Sequence, residues 1–295
     1  MRYHRRLLNY RLFRERLNVP LVTVELAYGA DFELTEDDAD ILVQLRGKDV
    51  IWQKERLLNV ALRYLPSTCR KFVWVDCDVI FEADDWPERV SHLLDRFWVV
   101  QTFSHLHHMP RDRTPGESET KPEFTQQSIT FMIASGVPAA ACLARRFDAR
   151  ELSSAPGIAW AARRELIDKH SFYDTCIMGG GDMAIAAAAQ GCIAELMLRH
   201  HMNDQQKERY LAWAKPVYDD VRADVGFVDC RLFHLWHGDL RNRRILQRHQ
   251  SLSRFHFDPF EDIAIDQNGC WRWSSDKPEM HAYVRDYFAS RKEDG

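Results

Sequence analysis

No uninterrupted apolar run reaches the roughly 18 residues that a membrane-spanning helix requires. The nearest candidate, residues 129–144, is broken by Thr130, Ser135, Gly136 and Pro138. The seven cysteines are odd in number, scattered and without a CxxC pair. That excludes a disulfide-stapled miniprotein and points to free thiols in a reducing compartment. Neither sign of charge dominates: 40 basic and 44 acidic side chains leave a net charge of −4, which argues against a basic nucleic-acid footprint. The basic start, Met1 to Arg6, is not followed by an apolar core or a small-residue cleavage site, so no signal peptide is expected. Repeats and low-complexity tracts are also missing. What remains is 295 residues, 45% hydrophobic and 28% charged, enough to bury a core and too apolar for a disordered or collagen-like chain.

Leu7, Leu8, Leu12 and Leu17 recur at helical spacing among arginines and predict a helix over 4–17, stopped by Pro20. Two β-branched runs, 21–26 and 41–45, predict strands separated by an acidic loop, 31–40. Residues 50–65 read as a helix with Asp49 as N-cap. Phe72 to Val75 reads as a strand buried on both faces. A helix over 84–96 and a strand over 98–101 follow, and this alternation suggests a parallel α/β sheet. The polar stretch 105–127, with Pro110, Pro115, Gly116 and Pro122, predicts a long loop. His105, His107 and His108 form a metal-like group next to it. Further on, the patterns predict a strand over 157–166, an alanine-rich helix over 182–190 and a polar helix over 203–223 interrupted at Pro216. A strand end over 233–238, a basic helix over 241–250 and an exposed helix over 277–291 complete the chain.

The sharpest local feature is the run Val73-Trp74-Val75-Asp76-Cys77-Asp78-Val79-Ile80-Phe81. Side chains alternate along a strand, so Asp76 and Asp78 are expected on one side and Cys77 on the other. In open α/β sheets, ligands bind beyond the carboxyl ends of the strands. Two carboxylates there make a hard-oxygen site for Mg²⁺ or Mn²⁺ with phosphate oxygens. A solvated strand end is the plain alternative.

Four flanking segments accompany this DxD: Trp52-Gln53-Lys54-Glu55-Arg56-Leu57-Leu58-Asn59-Val60-Ala61, Gly157-Ile158-Ala159-Trp160-Ala161, Gly179-Gly180-Gly181-Asp182 and Trp236-His237-Gly238. In this order the five pieces resemble the β-1,4-galactosyltransferase group and the wider GT-A glycosyltransferases, including their family-2-like members, over roughly residues 19–250. The resemblance implies a GT-A, Rossmann-like α/β fold with a mostly parallel central sheet. It implies a metal-dependent, inverting transfer of a hexose from a nucleotide-sugar, expected to be a UDP-sugar, to a saccharide or glycoconjugate acceptor.

The resemblance implies nucleotide contacts at Trp52 and Lys54; Glu25, at the end of a strand on the same edge, and Asp76 and Cys77 are further candidates for the nucleotide-sugar, and Trp160, Gly180 and Gly181 for the acceptor. Asp182 is the expected catalytic base. Asp76, Asp78 and His237 are the expected ligands of Mn²⁺ or Mg²⁺. His234 competes with His237, because along an extended 233–237 only one of the two reaches a given face. Trp236 is a further candidate for stacking on a sugar. Arg241, Arg243, Arg244 and Arg248 either screen a diphosphate or form a solvated helix face. The chain departs from the galactosyltransferase pattern at Met178, Gly181 and Met183, which leaves the sugar and the acceptor open. The competing enzyme is a Mg²⁺-dependent haloacid-dehalogenase-type phosphatase with Asp76 as nucleophile and Gly179 to Ala184 as its later loop. A catalytically impaired sugar- or nucleotide-binding relative is the third possibility.

The expected layout is a GT-A domain over 1–255, with a nucleotide-binding part near 1–104, an acceptor part near 125–255 and a C-terminal extension over 256–295 packed on it. In GT-A folds the first strand is central, beside the DxD strand. Here the strand at 21–26 matches the second, so the first is expected either to lie upstream or to be replaced from within the chain. The expected location is cytoplasmic, with peripheral membrane attachment left open.

Overall fold

The structure, a computed structural model, describes residues 3–29, 31–116, 121–144, 154–245 and 247–294. Met1 and Arg2 of the basic start, residues 117–120 of the expected loop and Leu246 of the expected basic helix lie outside these. Helix α1 (His4–Arg16) leads to β1 (Val22–Ala27), β2 (Ile41–Arg46), α2 (Lys54–Ala61), β3 (Lys71–Val75) and β4 (Val79–Phe81). Next come α3 (Trp86–Arg96), β5 (Val99–Gln101), β6 (His105–His108), β7 (Phe124–Ser128), α4 (Ile129–Ala134) and α5 (Ala139–Ala144). The middle of the chain forms β8 (Ser154–Ala155), β9 (Ala159–Arg163), α6 (Arg164–His170), α7 (Gly181–Ala189), α8 (Ile193–Arg199) and α9 (Asp204–Val221). Strands β10 (Val225–Phe227) and β11 (Arg231–His234), helix α10 (Gln247–Ser253), the hairpin strands β12 (Ile263–Ile265) and β13 (Trp271–Trp273), and α11 (Pro278–Ser290) complete it.

This is a mixed α/β fold. Its sheets run β10-β5-β9-β3, β4-β11-β6-β7-β8, β1-β2 and β12-β13. Helix α3 buries Trp86, Val90 and Leu94 as one stripe and carries the chain from β3–β4 to β5, which leaves β3 and β5 parallel. Strand β9 then enters between them antiparallel to both. Parallel and antiparallel pairs are therefore interleaved, and the expected mostly parallel sheet is not what forms. Among the described residues, β3 pairs only with β9 and β1 only with β2, so no described strand occupies the second edge of either.

The alanine-rich helix α7 sits at the centre of the largest core. Ala184, Ala186, Ala187 and Ala188 are fully buried, as expected of a helix that is apolar all round. Small side chains let α9 approach, and the Tyr210 hydroxyl donates to the Ala184 carbonyl at 2.8 Å. Helix α9 runs through Pro216 without interruption.

Other differences have physical causes. Helix α2 begins at Lys54, not at 50, because the C-terminal hairpin takes the polar groups before it. Gln53 exchanges two hydrogen bonds with the Trp271 backbone, and the Asp49 carboxylate accepts from the Trp273 N–H at 2.9 Å. The polar stretch 105–127 contains β6 and β7, paired antiparallel from His105↔Gln127 to His108↔Phe124. In the predicted strand 157–166, β9 gives way to α6 at Arg164. The expected basic helix starts only at Gln247, after a 3-10 turn ending at Arg244 with φ of 43°. Helix α11 is not simply exposed: Met280, Val284, Tyr287 and Phe288 share a core with Ile51, Ile177 and Met178. Met280→Ala is therefore expected to cost about 2–5 kcal/mol of stability in urea unfolding. A change within about 0.5 kcal/mol would show that α11 does not belong to that core.

Candidate metal centre and adjoining carboxylates

Strand β3 ends at Val75, and the Asp76 N–H donates to the Ile158 carbonyl at 2.8 Å. The turn 76–78 feeds β4, which pairs antiparallel with β11 in the register Val79↔His234. The Leu235 N–H donates to the Asp78 carbonyl at 2.8 Å. This pairing brings Asp78 to the end of β11, where His234 closes the strand. His237 lies beyond the strand, so strand alternation no longer governs its direction. Both histidines reach Asp78, against the expectation that only one could.

Asp78, His234 and His237 are all buried and form a group whose ligand atoms lie within 4.8 Å of one another. His237 Nε2 is 3.0 Å from Asp78 Oδ2, His234 Nε2 is 3.7 Å from Asp78 Oδ1, and the two Nε2 atoms are 3.2 Å apart. Ligand bonds of about 2.1 Å at a tetrahedral centre put ligand atoms roughly 3.4 Å apart, so the spacing fits one small cation. Asp78 Oδ1 is buried with no hydrogen-bond partner, an orphan that a cation would satisfy. Burial alone would raise the Asp78 pKa, but His237 with its hydrogen bond, His234 and Arg6 hold it well below the usual carboxylate range. Burial holds His234 well below its ordinary value, and so neutral, as a ligand must be.

Groups distant in sequence surround the trio. Arg6 Nη1 is 3.1 Å from His237 Nδ1, 3.4 Å from Asp78 Oδ2 and 3.0 Å from Glu293 Oε2. Arg243 Nη2 approaches His237 Nε2 at 2.7 Å, and burial together with Arg291 lowers its pKa to about 10. His108 packs edge-on to His234 and bonds Gln126 at 2.7 Å. Among the described residues, His105, His107 and His108 form no metal group with one another.

Asp76, expected among the ligands, is not one of this trio. The strand has ended, so the two carboxylates of the DxD diverge. Asp76 Oδ1 pairs with Lys54 Nζ at 2.6 Å, and the same Nζ bonds Asp182 at 2.8 and 3.1 Å. Burial raises the Asp76 pKa, opposed by Lys54. Asp182 lies in the first turn of α7, whose N-cap is Gly180, so it does not cap the helix. Gly179 and Gly180 have φ of 81° and 98°, and a Cβ on Gly180 would meet His200 at 2.8 Å. A Cβ on Gly157 would meet Asp182 Oδ2 at 2.7 Å. Glycines are thus required both for the turn and for the close approach of Asp182 to the chain before β9.

Glu55 was not singled out from the sequence. It is 1% exposed, accepts the Trp52 indole N–H on Oε2 at 2.8 Å, and leaves Oε1 without a partner. Gly181 lies directly against it, with no room for a Cβ. Burial first, then the charge of Asp182, pushes the Glu55 pKa up to about 8 against the pull of Lys54. Arg6, Glu293 and Glu55 carry no local sequence signal. They are ordinary charged residues until the fold buries them.

Other expected contacts go elsewhere. Trp160 is a core residue, 1% exposed, with its indole N–H on the Pro156 carbonyl, so no ring face is free for a sugar. Glu25 is spent on the Glu33 and Leu34 N–H groups and Gln44. Cys77 packs against the core of α1, and burial pushes its thiol up to about 11. Trp52 stacks on Phe288 at 6.1 Å and borders Gly179. Trp236 lies under the Arg5 and Arg111 guanidiniums. Of the basic cluster, Arg243 faces the metal trio, Arg248 bonds His249 and Tyr287, and Arg241 and Arg244 are exposed.

Two outcomes are expected. His234→Ala and His237→Ala should each weaken Mn²⁺ or Zn²⁺ binding by about tenfold or more in calorimetric titration, and unchanged affinity in both would remove the trio as a metal centre. Glu55 holds a proton in the native state that the unfolded chain, with a pKa of about 4.3, gives up. Its stabilising contribution is complete below about pH 4 and fades as pH rises through about 8. Glu55→Gln should therefore gain melting temperature relative to wild type between about pH 5 and about pH 9; a pH-independent difference would contradict this.

Compared with known proteins, the chain matches no family model, no curated protein and no solved structure.

Proposed function

We propose that this chain is a metal-dependent, inverting glycosyltransferase of the GT-A type, using a nucleotide-sugar donor, with a UDP-sugar the first to test. The supporting observation is the convergence of Asp78, His234 and His237 beside a second group in which Lys54 joins Asp76 to Asp182. One site can hold a cation and the other offers a carboxylate base, both reached from the turn after β3.

Asp78, His234 and His237 would hold the ion, which when bound neutralises charge on the leaving diphosphate. Lys54, Arg6 and Arg243 supply further positive charge for the phosphates. Asp182 accepts the proton of the acceptor hydroxyl as its oxygen bonds to the anomeric carbon, and the glycosyl–phosphate bond breaks with its electron pair going to the diphosphate. A single displacement of this kind inverts the anomeric centre. Lys54 holds Asp182 through two hydrogen bonds, and a diphosphate competes with Asp182 for that lysine.

Two imidazoles and one carboxylate suit Mn²⁺, Fe²⁺ or Zn²⁺ better than Mg²⁺, which speaks against the Mg²⁺-dependent phosphatase. The same donor set also serves oxygen-activating Fe²⁺ centres, but Arg6 and Arg243 beside this one favour a phosphate-bearing substrate. Asp182→Asn should retain Mn²⁺-dependent stabilisation by UDP and lose transfer by about 10²–10⁴-fold. The proposal fails if a panel of nucleotide-sugars with Mn²⁺ gives no thermal shift, or if the chain hydrolyses an aryl phosphate and Asp76→Asn abolishes that activity.

A further inference from the structure

A cavity of about 740 Å³ opens between α2, α6, α9 and the β12–β13 hairpin, within the usual size of small-molecule sites. It lies on the other side of α2 from the Asp76–Lys54–Asp182 group. Lys54 and Arg56 are two residues apart on that helix, about 200° around its axis. Lys54 reaches Asp182, whereas Arg56 reaches Asp174 at 3.0 Å.

The charges lining this cavity do not balance. Arg56, Arg63, Arg164 and Arg209 line it against Asp168 and Asp174. Asp174 is taken by Arg56 and Asp168 by Arg164, at 3.0 and 3.1 Å. Among the described residues no carboxylate pairs with Arg63 or Arg209 within 4.0 Å. Arg56 is 8% exposed, and its Nε has no hydrogen-bond partner, an unusual state for a buried guanidinium. The apolar part of the wall combines the rings of Phe172, Trp213 and Trp271 with aliphatic Leu62, Ile167 and Ile265. Ser171, at the cavity, is held at φ of 58°, strain of a kind that gathers at ligand sites.

We propose that this cavity is a second ligand site, separate from the metal trio, which binds a sugar carrying a phosphate or carboxylate group. Guanidiniums without carboxylate partners present forked donors that match both anions. Indole and phenyl walls offer apolar surface to the ring of the same ligand. Three of the walls come from helices α2, α6 and α9, and a fourth comes from the C-terminal hairpin. The hairpin adds Ile265 and Trp271 to the lining. This proposal does not rest on the transferase assignment.

Calorimetric titration of the full chain with glucose 6-phosphate, glucuronate, glucose and inorganic phosphate tests it. At least one of the two charged sugars should bind, more tightly than glucose or inorganic phosphate. Arg63→Ala and Arg209→Ala should each weaken that binding by about tenfold, and Arg285→Ala, an exposed arginine on α11, should not. His237→Ala should leave it unchanged. No binding of either charged sugar up to about 10 mM, equal binding of inorganic phosphate, indifference to both arginine variants, or loss in His237→Ala would each overturn the proposal.

Discussion

The site hangs on one short antiparallel pairing, that of β4 with β11. Three register pairs, Leu232↔Phe81, Phe233↔Ile80 and His234↔Val79, join the turn after β3 to a strand far along the chain. Neither strand is long enough to be stable alone. β11 is also held on its other edge by β6, and Val79, Leu232 and Leu106 are buried in the same core. That packing lets a carboxylate and two imidazoles be buried within hydrogen-bonding range of one another. Without it, Asp78 would keep its charge in water and the histidines would have no reason to converge.

Burying so many ionisable groups is costly unless they are paired. The structure meets that cost with two networks that divide the DxD between them. Asp78 belongs to a network with His237, His234, Arg6 and Glu293. Asp76 belongs to one with Lys54, Asp182 and, at its edge, Glu55. The second sets one lysine against three carboxyl groups, and both leave carboxyl oxygens without hydrogen-bond partners, Asp78 Oδ1 and Glu293 Oε1 in one and Glu55 Oε1 in the other. A lysine between two acids and an arginine against an imidazole nitrogen are positions that an incoming cation or phosphate would disturb.

The ends of the chain contribute as much as its middle. Arg6 on α1 and Glu293 after α11 meet at His237, while Asp294 accepts from the backbone of His4 and Arg5 at 3.1 and 2.8 Å. Helix α11 lays Phe288 on Trp52, and the β13 backbone fixes Gln53 just before α2. The segment after residue 255 thus buttresses α2, the helix that carries Lys54 towards one site and Arg56 towards the other.

Much of the local structure could be read from residue patterns. The parallel strands β1 and β2, the strand before Asp76, the stripe of α3 and the alanine helix behind Asp182 follow from apolar period and turn residues. Those patterns act over a few residues, so they survive in the sequence. They fail where distant chain supplies the hydrogen bonds. Polar β6 and β7 form a hairpin because each edge finds a partner, and the start of α2 is displaced by the hairpin at 263–273. The same limit governs the site. Asp78, Asp182 and His237 could be picked out by residue type and context. That Asp76 would turn away to Lys54, that His234 would join His237, and that Arg6, Glu55 and Glu293 would be buried around them was decided by the fold. Electrostatic partnership depends on distance in space and on exclusion of water, and neither quantity is written along the chain.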